Sequence, residues 1–75
     1  MMDTYTAKQL EILGQRVAKK RRARGLTIER LAYEMGISKG NLSDIENGKR
    51  DPRYTTLQAI SEGLEISISQ LLKDL

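Results

Sequence analysis

Apolar side chains recur along the chain at spacings of three and four residues, in runs that repeatedly break off and restart. Leu10, Leu13 and Val17 form one stripe, and Ile68, Leu71, Leu72 and Leu75 form another. Such spacings gather side chains on one face of an α-helix. Four starts share a signature. Tyr5-Thr6 precedes Leu10, Leu26-Thr27 precedes Leu31, Ile37-Ser38 precedes Leu42, and Ile66-Ser67 precedes Leu71. Ser or Thr after an apolar or aromatic residue, with Leu four positions on, predicts an N-cap with a hydrophobic staple. Thr6 to Gln9 and Ser67 to Gln70 add capping-box spacing. Gly25, Gly36, Gly48 and Gly63 fall where the first four helices should stop, as left-handed closing residues do. Pro52, the single proline, opens the approach to a fourth helix holding Leu57, Ala59, Ile60 and Leu64. The pattern predicts an all-α fold of five helices, at about 6–24, 28–35, 39–46, 54–62 and 68–74. Residues 1–75 read as one domain, with residues 1–5 as a loose N-terminal tail.

Composition narrows the chemistry. Cysteine and histidine are both absent. Disulfides, zinc sites built on Cys or His, and thiol or imidazole catalysis are therefore excluded. Glu29, Glu34 and Asp44 share no evident pocket, so an enzyme is the weakest class, and no cofactor or metal is implied. No segment reaches the roughly 20 apolar residues of a membrane span. The start, MMDTYTAKQ, lacks the basic-then-apolar order of a signal peptide. The expected location is cytoplasmic, at the nucleoid.

The net charge of +3 is unevenly placed. Residues 1–24 hold seven bases against two acids, whereas residues 25–75 hold six against eight. The excess sits in KKRRAR, which suits either a nucleic-acid partner or an ordinary solvated helix face. One member stands apart: Arg21 lies on the inward stripe with Leu10, Leu13 and Val17, where a charge needs a partner.

Helices 2 and 3 are short and joined by MGIS, a helix-turn-helix pattern. The segments LGQRVAKKRRARGLT, LAYEMGIS, LSDIENGKRDP and LQAISEGLEIS resemble the phage-repressor-like (Cro/C1-type, XRE) helix-turn-helix transcription factors, from Leu13 to about Leu72. The resemblance implies a compact five-helix lambda-repressor-like domain that reads double-stranded DNA with helix 3. On that helix, with Leu42 and Ile45 inward, a turn of 100° per residue points Gly40, Ser43, Asp44 and Asn47 outward, with Lys39 on the shoulder. Lys39 suits guanine O6 and N7, Ser43 suits either role, and Asp44 can accept from cytosine N4. Gly40 would let the backbone approach closely. The alternatives are a solvated Lys39, an Asp44 that keeps the helix soluble or repels wrong sequences, and a Gly40 that is merely tolerated.

By the same resemblance, phosphate contacts map to Thr27, Asn41, Asn47, Lys49, Arg50 and Arg53, and Glu46 becomes the partner of Arg21. One position departs: the family usually has Gln where this chain has Ile28. Ile28 is expected to pack with Leu31, Ala32 and Met35, leaving outward Tyr33 as a substitute contact or a solvated side chain. Ile66, Ile68, Leu71, Leu72 and Leu75 are expected to form a homodimer surface, the alternative being packing on helices 1 and 4. The expected function is a sequence-specific regulator, a repressor or controller, binding its operator as a homodimer. Its size resembles restriction–modification controllers, stand-alone repressors and antitoxins. Two other readings stay open: a helical protein-interaction module whose basic helix 1 meets an acidic partner, and non-specific nucleic-acid packaging.

Overall fold

The computed structural model describes residues 3–75. Five helices follow one another: α1 (Thr4–Ala23), α2 (Ile28–Met35), α3 (Lys39–Glu46), α4 (Tyr54–Leu64) and α5 (Ile68–Leu71). No strand occurs among the described residues. The all-α expectation holds, and the bounds of α2 and α3 fall where the sequence places them.

Local signals account for most of the boundaries. The side chains of Thr27, Ser38 and Ser67 accept hydrogen bonds from the backbone N–H groups of Arg30, Asn41 and Gln70, and Ser67 with Gln70 completes a capping box. At the other ends, Gly25, Gly36 and Gly48 adopt φ of 69°, 69° and 71°. Each hands the next N–H back to the preceding helix: Leu26 donates to Arg21 O, Ile37 to Ala32 O and Lys49 to Asp44 O. These are Schellman closures, which satisfy carbonyls that the helix end leaves unpaired.

Three expectations need correction. Helix α1 is capped by Asp3, whose carboxylate accepts from Thr6 N–H at 2.7 Å, and not by Thr6. Two caps three residues apart compete, and the earlier one adds a turn. Residues 4 and 5 are accordingly helical rather than a tail, while residues 1 and 2 lie outside the described part. Secondly, Gly63 does not end α4. It lies inside the helix, where a Cβ would stand 2.7 Å from Leu31 Cδ1 and from Met35 Sδ, so it exists for close packing on α2. The Schellman closure moves to Glu65, at φ 58°, with Ile66 N–H donating to Ser61 O. Thirdly, α5 is one short turn of four residues, not a helix to residue 74.

The core forms where α1 crosses α3 and α2 packs on α4. Val17, Leu31, Leu42, Ile45 and Ile60 are essentially inaccessible, and α5 closes one end of the core with Leu71. Ile28 packs against its edge, as expected for an apolar residue in that place. The α1–α3 contact is close enough to require Gly14, whose added Cβ would stand 2.5 Å from Glu46 O and 2.8 Å from Glu46 C. No described helix is long and apolar enough to cross a membrane.

Two outcomes follow from this packing. Gly14→Ala meets backbone and Gly63→Ala meets flexible side chains, so overpacking of about 1–3 kcal/mol should fall at the upper end or beyond for Gly14 and lower for Gly63, read from denaturant midpoints. The backbone N–H of Thr6, with its side chain, also holds the Asp3 carboxyl below its ordinary value of 3.8. A depressed carboxylate stabilises the fold above its unfolded pKa and loses that effect as pH falls through the folded one. The Thr6 amide resonance should therefore titrate with a midpoint below 3.8.

Candidate nucleic-acid interface

Behind α3 stands a buried ion pair. Arg21 Nε donates to Glu46 Oε2 at 2.7 Å and Nη2 to Oε1 at 3.1 Å, while Nη1 donates to Leu26 O at 2.7 Å. The side chains are only 9% and 5% exposed. The bond to Glu46 is the main reason the guanidinium is held above its ordinary pKa, outweighing the opposing effect of burial. A two-pronged carboxylate contact of this kind fixes orientation as well as distance. It ties the end of α1 to the last residue of α3, immediately before Asn47.

On the other side α3 is open. Lys39 and Gly40 are exposed, and Ser43 and Asp44 are half-buried. A Cβ on Gly40 would meet nothing within 4 Å. Lys39 Nζ sits 3.1 Å from Glu29 Oε2 of α2, and Asp44 Oδ2 sits 3.5 Å from Arg50 Nη2 in the loop after α3. Glu29 is held below the ordinary carboxylate range, first by its own backbone N–H and then by Lys39.

The residues expected at phosphate divide into groups. Asn41, Arg50 and Arg53 come together with Asp51, Pro52 and Thr56 around a polar concavity of about 290 Å³. Asn41 Oδ1 is buried there without a hydrogen-bond partner, alone in this among the described side-chain polar atoms. Thr27 uses its hydroxyl oxygen to cap α2, and Asn47 turns its amide back onto Ser43 O at 2.9 Å. Lys49 is exposed in the following loop. Tyr33 stands out from α2, fully in the open.

The residues expected at a dimer surface are not all available. Leu71 is 1% exposed and belongs to the core, so it cannot line an interface. The reason is its position four after the Ser67 cap, where a staple residue turns inward. Ile66, Ile68, Leu72 and Leu75 are half-buried around it.

Some roles went unread in the sequence. Arg16 Nη1 donates to Leu71 O at 3.0 Å, and Arg24 donates to Gly63 O and pairs with Glu65 at 2.9 Å. Part of the basic segment thus serves the fold. Glu29 as the counter-ion of Lys39 was equally hidden, its only local signal being an acid in a first helical turn.

Two short capped helices meeting at a left-handed glycine, with the second left open to solvent, place the domain among the helix-turn-helix proteins. The chain belongs to the helix-turn-helix family HTH_3, whose profile matches residues 17–71. It is 40% identical over 60 residues to RghRB of Bacillus subtilis strain 168, an uncharacterized HTH-type transcriptional regulator, covering 79% of this chain and 43% of that protein. The chain therefore spans less than half of that relative's length. Its fold matches the restriction-modification controller protein C.AhdI from Aeromonas hydrophila with a TM-score of 0.81 and 29% identity, over 83% of this chain and 94% of that one. It also matches SinR, a master regulator for biofilm formation, in complex with DNA, with a TM-score of 0.77 and 34% identity over 81% of this chain and 98% of that one.

The buried pair yields a sharp expectation. Arg21→Met or Glu46→Gln alone should cost about 3–5 kcal/mol, because each strands a buried partner, and the double variant should cost less than the two single costs added. Chemical denaturation of the four proteins measures the coupling.

Proposed function

We propose that this domain is a sequence-specific double-stranded-DNA-binding transcriptional regulator, a repressor or controller, acting as a homodimer with α3 in the major groove. The observation that carries this reading is Gly40. In the free domain nothing crowds it, its backbone is not left-handed, and glycine in a helix costs about 1 kcal/mol relative to alanine. The fold gains nothing from it, and a ligand that must approach the helix backbone gains a great deal.

The surroundings fit a duplex. A major groove admits one helix, and in this motif the N-terminal part of the second helix meets base edges. Lys39 and Ser43 are suited to specify, and Asp44 can do so where cytosine faces it. Thr27, Asn41, Asn47, Lys49, Arg50 and Arg53 are suited to phosphate, which positions the domain without carrying sequence. The likeness to SinR, solved in complex with DNA, supports DNA as the ligand. Ile66, Ile68, Leu72 and Leu75 make the dimer surface, which sets two recognition helices about 34–36 Å apart on successive grooves.

Selection of bound duplexes from a random pool tests the reading, with affinities compared at several salt concentrations. A specific regulator should prefer its selected site by roughly 10³ or more. Gly40→Ala then separates fold from function. It should raise the melting temperature by several degrees, as about 1 kcal/mol does in a domain of this size. It should weaken the selected complex by about tenfold, equivalent to 1.4 kcal/mol. A Gly40→Ala protein that binds as tightly as the parent would show that the first turn of α3 is not at the DNA.

A further inference from the structure

Glu29 and Lys39 come from different helices of the motif. Glu29 lies in the first turn of α2 and Lys39 opens α3, and their side chains meet at 3.1 Å on the open side of the turn. Both remain about two-thirds exposed, at 63% and 64%. Glu34 on the same helix behaves differently: it pairs within α2 to Arg30, four residues away, and takes no part in α3. The proposed reading head thus carries a carboxylate that is attached to its foremost cation.

Resting on the DNA reading above, we infer that Glu29 is a positioning residue for specificity, holding Lys39 so that its ammonium serves a guanine edge and not a phosphate. An ammonium has three N–H donors. With one directed to Glu29, two remain to reach guanine O6 and N7 together, and the carboxylate stays partnered in that complex. Where no guanine edge faces Lys39, the strongest acceptors within its reach are phosphates. To take one, Lys39 would have to leave Glu29 unpaired beside the DNA polyanion, where like charges repel, so it stays on the carboxylate and forgoes the phosphate. The carboxylate therefore penalises the wrong complex more than the right one.

The test compares the intact protein with Glu29→Gln, on the selected duplex and on a random duplex of equal length, across a range of salt. Exposed pairs have small effects, so random-duplex affinity should rise about three- to fivefold. The salt slope on that duplex should steepen by about one unit, as one added phosphate contact requires. Affinity for the selected duplex should hold or fall, so the ratio narrows. In a Lys39→Ala background, Glu29→Gln should leave the ratio unchanged. Glu34→Gln provides the control for bulk charge and should shift both duplexes alike. If Glu29→Gln also shifts both alike, or narrows the ratio without Lys39, the inference is overturned while the DNA reading stands. A parent protein that discriminates no duplex overturns the DNA reading and this inference together.

Discussion

One guanidinium holds the arrangement together. Arg21 donates to both oxygens of Glu46 and to Leu26 O, so a single side chain joins the end of α1, the entry to α2 and the exit of α3. It is a charge on an otherwise apolar stripe, and it is tolerated because its hydrogen-bonding partners are supplied from two directions. Gly14, two turns earlier, lets the same pair of helices approach until backbone meets backbone. The ion pair and the missing side chain work together: closeness shields the pair from water, and the pair fixes the angle of approach.

What the sequence disclosed was what consecutive residues can encode. Thr27, Ser38 and Ser67 each start a helix with the means carried in the next four positions, and Gly25, Gly36 and Gly48 each end one by backbone conformation alone. Arg21 was legible because its spacing contradicts its charge, although only family resemblance pointed to Glu46. Gly63 was misread because its role depends on Leu31 and Met35, roughly thirty residues earlier, and no local rule reports that distance. Leu71 carried two incompatible readings, a staple residue and a dimer contact, and the staple prevailed because burial in its own core requires no second chain. Glu29 lay beyond reach for a similar reason: its partner is set by how α2 and α3 cross.

The face opposite the ion pair has a different character. Its foremost cations do not stand free; Lys39 and Arg50 each rest beside a carboxylate of the same chain. The acid in the middle of α3 therefore has a neighbour in the unbound domain, and the apparent oddity of an acidic residue on a reading helix becomes a matter of exchange between partners. Gly40 adds access, and the concavity around Asn41, Arg50 and Arg53 adds a polar flank. Under the inference drawn above, discrimination on such a face comes from which partner each charge ends up with, and much less from how many charges there are.

The arginines of α1 and of its closing residue have a consequence for how the domain is held. Arg16 ends on a carbonyl of α5, Arg21 on α3 and the approach to α2, and Arg24 on a carbonyl of α4. The later helices are thus fastened at separate heights along one rod. Detaching α3, α4 or α5 strips a guanidinium of its acceptor, so these ties couple the later helices to the rod. Such ties favour opening as a unit. The open face of α2 and α3 is thus held in place from behind, by contacts that reach back to α1.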